Sequence, residues 1–259
     1  MSHRFTGHDP AEGQDTGGVP WEGRTLTGTG FDHDTGEADA ALSLLLARWA
    51  TPGEVRPEEL MAAVAAARLI VPIVAVPSEI DESSGIPVDA VSDMASVTLV
   101  APDGQQALPA FTSTAALAAW NAEARPVPVT AQRAALAAVQ EGCEVILLDL
   151  PAPPGAPALT LHPSMVWALA MGRPWVPAHR DEHVAAAVAA AVRERPEVRG
   201  HHLGEAEDGG LLITLDLVPG LDRTRLNELL TQVGGRIAAD GEARARIDAV
   251  SFRLAAADR

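Results

Sequence analysis

The sequence predicts an α+β protein in two parts, an N-terminal mixed sheet with packed helices and a smaller C-terminal α+β unit. Three observations carry this expectation. Two short apolar runs rich in branched residues, RLIVPIVAV at 68–76 and CEVILLDL at 143–150, are separated by segments with helical spacing. Turn signals, PDG at 102–104 and DGG at 208–210, mark hairpins. After GRPWVPAHRD the pattern changes to helix, strand, strand, helix, strand.

Taken in order, residues 1–36 are rich in Gly, Asp, Thr and His and read as a flexible arm, in which a segment at 19–31 carries Trp21, Leu26 and Phe31 for docking. ADAALSLLLARW, 38–49, reads as a helix ended by TPG. A second helix, 57–67, opens with Pro57, Glu58 and Glu59, proline in the first turn and two carboxylates near the positive end of the dipole. The run 68–76 is a buried strand whose Pro72 implies an edge or a bulge. The acidic stretch 77–93 is an exposed loop, and 95–101 with 106–111 form a hairpin around the PDG turn. A helix follows at 114–121, then another capped by Thr130 and ended at Gly142. The near-continuous apolar run 143–150 belongs in the middle of a sheet with both faces covered. PAPPGAP, 151–157, is a connector, ALTLH a short strand and 163–171 a helix.

The pattern divides the chain into the arm 1–36, an α/β domain at 37–172 and an α+β domain at 173–259. In the last, HVAAAVAAAVRER is a helix ended by Pro196, and 198–218 a hairpin. RTRLNELLTQVGGRIAAD is an amphipathic helix with Leu226, Leu229, Leu230 and Val233 on one side. RIDAVSFRL alternates, with Ile247, Val250 and Phe252 as buried positions. Two helices on one face of a small antiparallel sheet are expected, and with a first strand from WVPA the order becomes ferredoxin-like.

Composition narrows the function classes. The apolar fraction of 47% supports a packed core. No window reaches the roughly 18 apolar residues of a membrane span, and the N-terminus has no apolar core for a signal peptide. A net charge of -16 argues against nucleic acid and anionic lipid as partners. The single cysteine, Cys143, permits no internal disulfide. A cytoplasmic protein is the expectation.

DGQQALPAFTSTAALAAW, with the preceding VTLVAP and the following CEVILLDLP, resembles the N-terminal domain of the SseB family as found in high-GC Gram-positive bacteria. There a hairpin delivers a PVFTS or PAFTS-like sequence into a short helix ending in Trp. PWEGR, with Trp21 and Arg24, fits the same group, and LDLVPGLD with RIDAVSFRL is similar to the C-terminal portion that often follows. The resemblance implies a fold, with no catalytic or cofactor residues to carry over.

The candidate chemistry is sparse. Ser113 has no Gly flank for a strained nucleophile turn, and its position before a helix makes it an N-cap. His179 and His183 stand four apart without the glutamate of H-E-x-x-H, while His201 and His202, adjacent on a strand, face opposite ways. The run Asp32, His33, Asp34 lacks the glutamate of a calcium loop, and TGTG at 27–30 lacks the flanking strand and helix of a dinucleotide site. Cys143, beside Glu144, reads as structural. No metal or cofactor is expected. The interaction or interface residues singled out are Trp21, Arg24, Trp120, Trp167 and Trp175, tryptophan being scarce in a chain with 3% aromatics.

These readings lead to a non-catalytic cytosolic protein that binds another protein or its own copy. Two alternatives stand beside it: a small hydrolase using Ser113 or the His179/His183 region, and an accessory protein of a secretion or envelope system.

Overall fold

The computed structural model describes residues 30–76, 93–150 and 158–256. Trp21, Arg24 and most of the 19–31 segment, the acidic loop and the PAPPGAP connector lie outside these residues. The chain divides into residues 1–35 and 36–259; the second unit is described below.

Its fold is α+β, as expected. Helix α1 (Ala40–Trp49) begins where the Asp39 carboxylate accepts from the Leu42 amide, and it buries Leu42. Helix α2 (Pro57–Ala66) has Pro57 and two glutamates in its first turn and buries Leu60, Met61 and Val64. Strand β1 (Arg68–Val76) follows at once and is the middle strand of an antiparallel sheet between β2 (Asp93–Ser96) and β5 (Arg125–Thr130). A second sheet has the order β3 (Leu99–Val100), β4 (Gln106–Ala110), β6 (Val145–Leu148), β7 (Leu159–Leu161), with β4 and β6 parallel. Three more helices cover these sheets: α3 (Thr114–Trp120), α4 (Ala131–Gln140), capped by Thr130, and α5 (Pro163–Ala170).

Prolines decide where the two sheets part. Among the described residues a single antiparallel bridge joins them: Ile70 and Phe111 exchange backbone bonds of 2.7 and 2.8 Å. In that register the next hydrogen-bonded pair is Pro72 with Pro109, and neither has an N–H to give. The ladder stops there, and β2 takes over the pairing of β1 from Ile73 onward. Pro72 is therefore not at the edge or bulge that the sequence predicts but in a central strand beside a gap. Because Ile70 faces Phe111, its partner Pro128 and the neighbouring pair Pro72–Pro126 occupy non-hydrogen-bonded positions of the β1–β5 ladder. The prolines at 126 and 128 thus cost no ladder bond, which is why RPVPVT, not assigned from the sequence, forms a strand.

The expected 95–101 strand divides. Its first part is β2, in the sheet of β1, while only Leu99 and Val100 pair with β4 across the PDG turn. Both faces of β1 are covered over residues 69–72. Leu69 and Val71 join the main core with Leu108, Ile146 and Leu148, and Ile70 joins Phe111 and Leu117 beneath α3. This two-sided burial explains the unbroken apolar runs. Phe111 is fully buried, and truncation of such a side chain costs about 3–5 kcal/mol.

The C-terminal part has its own core. Helix α6 (Glu182–Val192) contributes Val184, Val188 and Ala191. Strand β9 (Leu211–Leu217), paired with β8 (Val198–Glu205), alternates strictly, with Leu211, Ile213, Leu215 and Leu217 buried. Helix α7 (Arg223–Ala239) adds Leu229, Val233 and Ile237. A short α8 (Gly241–Ala245) leads to β10 (Val250–Ala256). The sheet is mixed, not antiparallel, because α7 carries the chain back to the same end and β10 runs parallel to β9. WVPA forms no strand; a 3-10 turn follows at Ala178–Arg180. Val250, expected to be buried, opens an edge strand and is 40% exposed.

Candidate functional site

The FTS sequence lies where β4 ends, at the carboxyl side of the parallel β4–β6 pair, and the hydroxyls of Thr112, Ser113 and Thr114 are all engaged. The Ser113 Oγ accepts from the Ala116 amide at 3.0 Å, the N-cap bond of α3. The Thr114 hydroxyl donates to the Gly36 carbonyl at 3.2 Å. Gly36 has φ +80°, and a Cβ there would sit 2.7 Å from Thr114 Oγ1, so glycine is required twice over. The Thr112 amide and hydroxyl both donate to Asp149, to Oδ1 and Oδ2 respectively, each at 2.8 Å. Arg68 donates to the Thr112 carbonyl at 2.7 Å.

Asp149 holds this corner at a conformational cost. It is the one non-glycine described residue with positive φ, 56°, a region that disfavours a Cβ. Its amide bonds the Ala110 carbonyl at 2.9 Å, so the left-handed turn aims the carboxylate back across the ends of β6 and β4. Burial pushes its carboxyl above the usual range, while the two bonds from Thr112 pull in the other direction. Among the described residues no histidine bonds Ser113 or Asp149, and the serine serves the helix.

The histidines are spread among structural tasks. His179 lies in the 3-10 turn before α6, so it shares no helical turn with His183. His183 Nε2 stands 3.1 Å from Asp240 Oδ1, and that carboxylate also caps α8 through the Glu242 and Ala243 amides. These bonds, the Ala243 amide foremost and then His183, hold the Asp240 carboxyl below its ordinary value. His202 is exposed 3.5 Å from Asp216, and His201 is the neighbour on the other face of β8. Among the described residues no three His, Cys, Asp or Glu side chains gather as metal ligands. Cys143 is buried, and loss of solvation raises its thiol, with Glu141 adding to the rise and the Thr98 hydroxyl opposing it.

The tryptophans separate by role. Trp120 tilts against Phe111, ring centroids 5.4 Å apart, within the small core under α3. Trp167 stands on α5 and is 37% exposed. Trp175 packs on the main core, and its indole N–H donates to Ser164 Oγ at 2.9 Å. It also lines a groove of about 610 Å³ between the N- and C-terminal parts of the 36–259 unit. The groove floor is apolar, formed by Trp49, Leu60, Met61, Leu159, Met165 and Trp175. Four carboxylates, Glu144, Glu205, Asp208 and Asp248, stand around it with His162 and, among the described residues, no arginine. Glu144, Glu205 and Asp208 are on exposed residues.

Asp248 lines the same groove and is likewise on an exposed residue. Its Oδ1 accepts from the Ser164 amide and its Oδ2 from the Ser164 hydroxyl, both at 2.7 Å. Ser164 is the second residue of α5, whose own N-cap, His162, makes no side-chain cap bond. A carboxylate from the C-terminal part thus caps a helix of the N-terminal part. Around it run Arg180 to Glu58 at 2.6 Å, Arg173 to Glu242 at 3.0 Å and Arg246 to Asp181 at 2.7 Å. Arg173, and then Arg246, hold the Glu242 carboxyl below its ordinary range.

Trp175 and Ser113 stand out in the sequence, whereas Trp49, Asp149, Ser164 and Asp248 do not. HPS before an apolar helix signalled an N-terminus in need of a cap, but its partner is 84 residues away. Among the described residues no helix is long and apolar enough to cross a membrane. Residues 42–168 match the family model for the SseB protein N-terminal domain. Comparison with curated proteins and with solved structures gives no match.

Proposed function

Starting from the premise that the chain carries an SseB N-terminal domain at residues 42–168, we propose that it is a non-catalytic binding module that docks another protein in the groove between its two parts. The observation that carries this reading is the groove's floor: two indoles and four aliphatic or thioether side chains lining an open cleft of about 610 Å³. Clefts of roughly 300–1,000 Å³ are of a size to take a small molecule or a few side chains. Aromatic anchors dominate such contacts. The polar groups that look chemical in the sequence, Ser113 and His183, are engaged instead in bonds that hold helix ends, and Thr112 and Asp149 are engaged with each other.

A benzophenone amino acid at position 165 of the full chain tests this by photocrosslinking in native lysate. The expected result is a protein adduct that disappears when Thr160→Trp fills the groove from β7, where a large residue suits the strand. An adduct unaffected by Thr160→Trp removes the groove from the reading. Labelling of Ser113 by a broad serine-directed probe would overturn the non-catalytic assignment.

A further inference from the structure

We infer that the groove's occupant is a cationic peptide segment, arginine or lysine alternating with bulky apolar side chains; this rests on the docking reading above. The floor alone would accept any apolar side chain. What selects among them are the carboxylates: Glu144, Glu205, Asp208 and Asp248 all stand on exposed residues, the last already engaged with Ser164, and among the described residues no arginine lines the groove to neutralise them. Two of the other three already hold light bonds, Glu144 from the Gln105 amide group at 3.1 Å and Asp208 from the Gly210 amide at 3.0 Å. Both keep lone pairs for a further donor, since an ionised carboxylate accepts at about four sites.

Negative charge around an apolar, low-dielectric cleft focuses the field and raises the local concentration of cations. A guanidinium meets both surfaces at once. Its planar fork matches a carboxylate, and its face stacks on an indole such as Trp49 or Trp175. The chain's net charge of -16 works in the same direction, steering basic partners in and opposing a second copy of the chain. An anionic or neutral peptide would leave three carboxylates to be desolvated without a partner.

The test titrates full-length protein with three synthetic peptides, acetyl-GLRLRLG-amide, acetyl-GLQLQLG-amide and acetyl-GLELELG-amide, read by calorimetry and by tryptophan fluorescence. The arginine peptide is expected to bind about tenfold or more tightly than the glutamine peptide, with the glutamate peptide weakest. That margin should shrink toward unity at about 1 M salt, where the screening length falls to roughly 3 Å. Glu205→Gln combined with Asp208→Asn should erase the preference while leaving glutamine-peptide binding unchanged. The carboxamide that Asp208→Asn introduces keeps an oxygen for the Gly210 amide, so the turn survives. Equal binding of the arginine and glutamine peptides, both blocked by Thr160→Trp, would overturn the cationic assignment and leave the docking groove standing. Arginine-peptide binding that persists in Thr160→Trp, or no binding of any peptide, would overturn it and count against the groove as well.

Discussion

Asp149 and Asp248 grip their partners in the same way. Each carboxylate takes the amide and the hydroxyl of one Thr or Ser at 2.7–2.8 Å, Thr112 in one case and Ser164 in the other. The settings differ. Asp149 is a partly buried residue in a left-handed conformation, one residue past β6, and it fastens the ends of two parallel strands within the N-terminal part. Asp248 is on an exposed residue before β10 and fastens the C-terminal part to a helix of the other. The same bonds therefore serve as an internal rivet in one place and as a latch in the other. Stability should depend mainly on the rivet, and the groove's geometry on the latch.

The largest effect that sharpens this contrast is expected from Asp149→Ala. It strands the Thr112 amide and leaves a Cβ residue at positive φ with no local hydrogen bond, a loss of about 3 kcal/mol by urea unfolding. A change under about 1 kcal/mol would break the distinction. Asp248→Ala should cost less, about 1–2 kcal/mol, since water can reach the uncapped α5. It should also weaken arginine-peptide binding and raise protease cleavage near 172–177, and the double variant with Ser164→Ala should be non-additive. Ser113→Ala removes one cap bond and should cost about 1 kcal/mol with no effect on peptide binding.

The smallest effect concerns pH. Burial raises the Asp149 carboxyl, so in the folded state it holds its proton to higher pH than in the unfolded chain. The stability linked to that group is present in full below its unfolded value and is lost as pH rises through the folded one. Acidification from neutrality into the carboxylate range should therefore favour the wild type relative to Asp149→Asn, which keeps both the left-handed preference and an acceptor oxygen. Paired urea midpoints at neutral pH and within that range measure the shift. A difference that moves the other way would mean that the Thr112 bonds outweigh burial.

Much of the fold was legible because it rests on local signals. Period and caps placed α1, α4 and α7, and the covered run at 143–150 announced β6 in the middle of its sheet. RPVPVT was missed because proline argues against a strand unless its missing N–H points away from the ladder, and only the register reveals that. The division of the 95–101 segment was hidden for the same reason, since partner choice is a tertiary fact. Trp175, marked in the sequence as an interaction or interface residue, lines the groove, yet Trp49 beside it read as an ordinary helix residue. Asp248 sat inside an expected strand, and nothing near it in sequence points to Ser164.

The Pro72–Pro109 gap reaches beyond the geometry of two sheets. Strands β1 and β4 are both apolar and near each other, and a chain still folding has every incentive to pair them along their length in whichever register comes first. With donors missing at the first step past Phe111, that zipper cannot extend, and a slip by one residue on the β5 side would set prolines where bonds are needed. The outer edge of β5, whose Pro126 and Pro128 turn no N–H outward, is likewise a poor template for a strand from another molecule. The prolines act as proofreading marks against mispairing and aggregation.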